Sequence, residues 1–261
     1  MASLCKTAAA VCLVALYGLQ SDAAGKTTTY TFTPEVVDEA GYLAANLVRN
    51  GKLPVHISTV TKSETIVSSL KTTVGSKTAS KAGEDLSDTT CSGLMEGADL
   101  KDIFNHVFDY ANGPNYPDLL QTALNKGLEA FKKTDYQNQW EKIWQDDAGA
   151  NLAYLLGANS TTIGCVIGKC TTETTEGSGE RSSSPKLTGK AVLFCELKPP
   201  AEKGKAPFDG EYYDGLIART AKLADMTEED LKASSNDGTA AAAVPTILAA
   251  GFVAMLTAIG A

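Results

Sequence analysis

Residues 161–170 read "TTIGCVIGKC", a short run of β-branched and apolar residues broken by two glycines, which predicts a strand. Two cysteines, Cys165 and Cys170, stand five positions apart in it. Side chains alternate along a strand, so an odd offset sends the two thiols to opposite faces and each needs its own partner. A bond between them is disfavoured by reach as well, because five extended residues exceed the roughly 7 Å Cα separation that a disulfide tolerates. A second strand is expected in "KAVLFCELK", residues 190–198, which carries Cys195. The connection between them, residues 171–185, contains no aromatic or large aliphatic residue, so the two strands are expected to pair antiparallel across a long exposed loop. Arg181 makes that loop a candidate for proteolytic nicking.

Whether these thiols are oxidised depends on the compartment, and both ends of the chain bear on it. Residues 1–23 place Lys6 before a short apolar run and end on Ser21 and Ala23, the small-residue exit of a secretory signal peptide. Residues 244–261 are apolar, uncharged and without a basic flank, and small residues precede them. That order matches a GPI-attachment signal, with Asn236 as the expected ω residue and Ser234 or Ser235 as neighbours that could serve. A tail-anchored span and a buried core helix are the other readings of the same segment. The expected division is therefore a signal peptide over 1–23, an ectodomain over 24–236 and a propeptide over 237–261. The expected location is the extracellular face of the plasma membrane, attached only through the lipid.

Removing the two ends takes away Lys6, Asp22 and Asp237 and leaves 22 basic and 29 acidic residues, against a net charge of −8 for the whole chain. An acidic domain without a basic run excludes nucleic acid as a partner and electrostatic docking on anionic lipid. Cys5 and Cys12 leave with the signal peptide, and Cys91, Cys165, Cys170 and Cys195 remain. Four cysteines in a secreted domain suggest two disulfides in one of three pairings. They lack the paired C-x(2–4)-C spacing of a zinc site and the C-x-x-C of a redox pair, so no metal site is expected.

Helical patterns dominate the first half. "TPEVVDEAGYLAANLVRNGKLP" predicts a helix capped by Thr33, with Pro34 at its first position and Gly51 at its stop. A second is expected over "STVTKSETIVSSLKTTVG", then a polar surface loop carrying Cys91. Further helices are predicted in "ADLKDIFNHVFDYANGP", "PDLLQTALNKGLEAFKK", "DYQNQWEKIWQDD" and "GEYYDGLIARTAKLADM", with Tyr136, Trp140 and Trp144 read as core. Thr227 and Asp230 fit a capping box. Strand signals come late in the chain.

Catalytic motifs are missing: there is no H-E-x-x-H, G-x-S-x-G, P-loop or G-x-G-x-x-G. His56 and His106 lie in no motif that supplies partners and read as structural. The acids Asp146, Asp147 and Glu228 to Asp230 read as solvated faces. No catalytic residue and no cofactor is expected. Asn159-Ser160-Thr161 is an N-glycosylation sequon, open to modification if it is exposed.

"NLAYLLGANSTTIGCVIGKC" resembles the helix-to-"GC…C" motif of the CAP domain (cysteine-rich secretory, antigen 5, pathogenesis-related). "KAVLFCELKPPAEKGK" resembles that family's closing strand, and "NLVRNGKLPV" its opening helix. With the two ends and the four cysteines, the chain looks like the GPI-linked surface antigens of Eimeria. The resemblance implies an α/β (α+β) fold: a three-layer α/β/α sandwich with a central, largely antiparallel sheet. It implies the pairings Cys165 to Cys195 and Cys91 to Cys170. Asn151 stands where the CAP motif has a histidine, so the family's metal-holding cleft is not expected here. The implied function is a non-enzymatic parasite surface antigen that contacts a host-cell receptor or glycan and is met by host antibodies. The alternative is the sterol or lipid carriage found in some CAP proteins.

Overall fold

The computed structural model describes residues 27–82, 93–95, 97–111, 113–133, 139–175 and 184–232. The strand of residues 161–170 is the middle of a mixed, mostly antiparallel sheet. Strand β5 (Thr162–Thr175) lies between β1 (Thr27–Val36) and β6 (Lys186–Lys198). The order is β3-β1-β5-β6-β4, with β3 (Thr78–Ala82) and β4 (Phe104–Asp109) at the edges. The short β2 (Thr61–Lys62) adds a parallel pairing to β5. Thus α+β architecture, with the two late strands antiparallel, is what the chain adopts.

Alternation in β5 gives the sheet two dry faces. On one, Ile163, Cys165 and Ile167 join Leu193, Cys195 and Leu197 of β6. Against them stand helices α1 (Glu39–Asn50), α4 (Tyr116–Lys133), α5 (Trp140–Gln145), α6 (Asp147–Leu155) and α7 (Gly210–Ala218). On the other face Val166 and Cys170 meet Tyr30 and Phe32 of β1, Phe194 of β6, and Val67, Leu70 and Val74 of α2 (Glu64–Gly75). Gly164 lets α2 come close, since a Cβ there would sit 2.6 Å from Ile66 Cγ2 and 2.7 Å from the Val67 amide nitrogen. Trp140, Ile143 and Trp144 are buried as expected, and Tyr136 lies outside the described residues.

Four expectations need correction. Thr33 and Pro34 belong to β1, not to a helix start; Asp38 caps α1 instead, accepting from the Gly41 amide at 3.3 Å. The run "TTTYTFT" alternates Thr28, Tyr30 and Phe32 inward against Thr27, Thr29, Thr31 and Thr33 outward, and that period of two prevails over the cap signal. The polar stretch after Gly75 contains the edge strand β3, whose small residues gave no apolar alternation to read. The segment expected as a helix around His106 is one short turn, α3 (Ala98–Lys101), followed by β4, where Phe104, His106 and Phe108 face inward. Lastly, the final helix stops at Ala218, and Leu223 belongs to a separate 3₁₀ turn, Leu223–Asp225. A second such turn, Glu228–Leu231, is where Asp230 accepts from the Thr227 amide at 2.8 Å, as the capping box required.

Two arginines, Arg49 buried and Arg219 half-buried, fasten the helical layer. Arg49 is fully buried and donates to the carbonyls of Leu155, Ser58 and Gly157 at 2.7, 2.7 and 2.9 Å, and to Ser160 at 3.4 Å. Arg219 donates to the carbonyls of Leu47, Val48 and Gly51 at the end of α1. Arg219 thus meets carbonyls at the C-terminus of α1, and Arg49 joins the C-terminus of α6 to the loops around Ser58 and Ser160. Burial nevertheless draws the Arg49 pKa down to about 10, with Tyr212 opposing the shift.

Candidate interaction surface

Cys165 and Cys195 stand directly opposite each other on β5 and β6 and are joined, with Cα atoms 4.2 Å apart. That is the close spacing of a non-hydrogen-bonded antiparallel pair. Cys170 lies in the core on the opposite face and is itself disulfide-bonded. Cys91, the partner implied for it, lies outside the described residues, as do Arg181, Asn236 and both chain ends. Among the described residues no helix is long and apolar enough to cross a membrane.

The polar residues singled out in the sequence have structural work. Asn151 pairs with the Asn105 backbone twice, its Oδ1 accepting from the amide at 2.7 Å and its Nδ2 donating to the carbonyl. It closes one rung of the open β4 edge, where a histidine could not supply both an acceptor and a donor from one amide plane. His106 is buried on the same strand, and desolvation, with help from Lys126, pulls its pKa to about 4. The ring of His56 bonds to the Leu53 carbonyl through Nε2 at 3.1 Å. Asp146 caps α6, accepting from the Ala148 and Gly149 amides at 3.0 and 2.9 Å. Among the described residues no three His, Cys, Asp or Glu side chains are grouped to hold a metal. Asn159 is exposed in the turn before β5, with exposed Thr161 beside it and Ser160 buried, its hydroxyl donating to the Pro199 carbonyl.

Among solved structures the chain is similar to the Eimeria tenella surface antigen protein SAG19. It is 20% identical to it, with a TM-score of 0.46, covering 71% of this chain and 97% of that one. No family model and no curated protein matches the chain.

Two surface clefts are small and open. One is lined by Asp102, Tyr154, Cys195, Glu196 and Lys198, with the Tyr154 hydroxyl donating to Asp102 at 3.1 Å. The other runs between Leu124, Leu128, Arg219 and Lys222. The larger polar feature lies on the far half of the sheet. There Thr29, Thr31 and Thr33 of β1 face the same way as Thr78 and Ser80 of β3 and Thr171 of β5. Thr29 and Ser80 hydroxyls are 3.2 Å apart, and Thr171 bonds Thr31 at 2.9 Å and Thr33 at 3.4 Å. The row ends on Glu35, which accepts from the Tyr110 hydroxyl at 2.9 Å and from Lys169 Nζ at 2.9 Å. That ammonium lies 5.6 Å from the Tyr110 ring centre, and its hydrogen bond holds the Glu35 carboxyl below the usual range despite partial desolvation. Sequence reasoning missed this face. The signal was present in the alternation of "TTTYTFT", of which only Thr33 is assigned above, as a helix cap.

Proposed function

We propose that the chain is a GPI-anchored surface antigen of a parasite that works by contact, attaching to host cells and displaying epitopes, and not by catalysis. The observation that carries this reading is where the described chain leaves the domain. The turn Glu228–Leu231 is held against the end of α1, with the Lys52 amide donating to the Asp230 carbonyl at 3.0 Å. Arg49, three residues before Lys52, reaches Gly157 and Ser160 just ahead of β5. The last described turn therefore lies toward the start of β5, while Thr175 lies at the other end of that strand, roughly 40 Å away at about 3.3 Å per residue. A lipid at Asn236 would leave only a few residues between domain and membrane and turn the far end of the sheet outward. Asn159, also beside the start of β5, would carry its glycan near the anchored end.

Within this reading the domain is of the CAP-like type that the sequence motifs imply, and a second bridge joins Cys91 to Cys170. The lipid-carrier alternative requires an apolar chamber, and the clefts described above are rimmed by charged side chains. The test is to express the full chain on cells and treat them with a phosphatidylinositol-specific phospholipase. Release of the protein, and a fall in parasite attachment when the released protein or specific antibody is added, are the expected results. Retention on the cell, or release with no effect on attachment, overturns anchoring or attachment respectively.

A further inference from the structure

We propose that the hydroxyl face of Thr29, Thr31, Thr33, Thr78 and Ser80, ending on the Glu35–Lys169–Tyr110 cluster, binds a neutral glycan chain of the host-cell surface. The inference rests on the reading of the chain as an outward-facing surface antigen and gives that contact a place and a chemistry.

Position comes first. Thr29, Thr31 and Thr33 pair with Glu173, Thr171 and Lys169, all in the half of β5 remote from the turn Glu228–Leu231. Thr33, Thr78 and Ser80 are exposed and Thr29 and Thr31 half-buried, so the face is open to a ligand. From Thr29 to Glu35 it runs roughly 20 Å, at about 3.3 Å per residue, with hydroxyls repeating every second residue and on a neighbouring strand about 4.8 Å away.

The chemistry selects the occupant. Every threonine or serine hydroxyl both donates and accepts, as sugar hydroxyls do, and can rotate to suit either partner. Four of the five hydroxyls are held in place in advance: Thr171 links Thr31 and Thr33, and Thr29 is linked to Ser80. Such ordering lowers the entropic cost of binding. The cluster at the row's end offers a carboxylate acceptor and an ammonium donor that cancel in charge, 2.9 Å apart. A protein partner would look for aromatic and arginine anchors, and serine and threonine are poor ones. Single sites of this kind bind weakly, and dense display on a membrane raises the effective affinity by multivalency.

The experiment uses the full chain displayed on cells, probed with a desialylated mucin glycan pool, and compares it with Thr33→Val/Thr78→Val/Ser80→Ala. These exposed substitutions leave the inward-facing Tyr30 and Phe32 untouched, and surface levels with a conformational antibody check folding. The expected result is at least a tenfold loss of glycan capture in the variant, with capture by the unmodified chain changing little between 0.05 and 0.5 M salt. Lys169→Gln, which leaves the threonines in place, is expected to lower capture by a smaller factor. Equal capture by the triple variant overturns the proposal, and capture that collapses with salt shows an acidic ligand and overturns the neutral assignment. In parallel, the phospholipase-released full chain is added to host cells with and without glycosidase treatment. Binding that survives glycan removal but not protease points to a protein receptor, which overturns this inference while leaving the attachment reading standing. Absence of binding to untreated cells overturns both.

Discussion

His106 makes the stability of this fold depend on pH in a direction that can be worked out. Its ring is buried on β4, opposite Leu193 of β6 and with Lys126 of α4 as the nearby charge, so the protonated form is disfavoured and the pKa falls from 6.5 to about 4. In the unfolded chain the same ring titrates near its ordinary value. Between those two pKa values the unfolded state holds the extra proton, so folding stability falls as the pH drops from above 6.5 towards 4. The full shift corresponds to roughly 3 kcal/mol at about 1.4 kcal/mol per pH unit, and about 2 kcal/mol of it is lost by pH 5. Replacing His106 with Leu keeps an apolar side chain on that face and removes the titration. Urea unfolding of the two proteins at pH 8 and pH 5 measures the difference. The unmodified protein should lose about 2 kcal/mol more than His106→Leu on acidification. If both lose the same amount, the ring is not held neutral and the reasoning fails. Glu35 does not confuse the test, because its pKa is depressed by Lys169 and its contribution is lost only at lower pH.

Three further outcomes follow from the same structure. Replacing Cys165 and Cys195 together by Ala opens a bridge with a sequence separation of 30, which the loop-entropy model values at roughly 3–4 kcal/mol, read by thermal or urea unfolding under non-reducing conditions. Arg49→Met should cost roughly 3 kcal/mol or more, because the carbonyls of Leu155, Ser58 and Gly157 lose their donor; stability within 1 kcal/mol of the original would show that water replaces the guanidinium. Asn151→Ala should cost about 1–2 kcal/mol and speed amide exchange at Asn105, whereas Asn151→Asp, which keeps the acceptor, should protect that amide.

How much of this was legible in the sequence depended on what kind of signal each element carried. The pair β5 and β6 announced itself because both strands are buried and apolar and bounded by turn residues, and the odd offset of Cys165 and Cys170 alone assigned them to different faces. Helices α2 and α4 carried clear apolar stripes. β1 and β4 failed for opposite reasons. In β1 the outward residues are threonines and the Thr-Pro pair is also a good helix start, so two grammars fitted one string and only pairing with β3 and β5 decided between them. In β4, Ile103, Phe104, Val107 and Phe108 sit at helical spacing, yet Val107 ends up 41% exposed because the strand needs only Phe104, His106 and Phe108 inside.

The sites divide along the same line. A sequon or a capping box is a local pattern in residue type and spacing, so Asn159-Ser160-Thr161 and Thr227 with Asp230 could be named in advance; the Cys165–Cys195 pairing came from the resemblance, and the cap read at Thr33 gave way to Asp38. The hydroxyl face could not be named so, because it exists only when β1, β3 and β5 are laid side by side in register, bringing Thr29 against Ser80 and Thr31 against Thr171 from 51 and 140 residues away. Arg49 is similar: as a residue in "NLVRNG" it reads as a charged helix end, and its four carbonyl partners come from segments that only the folded chain gathers. A contact surface spread over three strands leaves no motif in the chain. What points to it is an outward row of one chemistry on a strand whose inward row is core, and "TTTYTFT" holds both rows in seven residues.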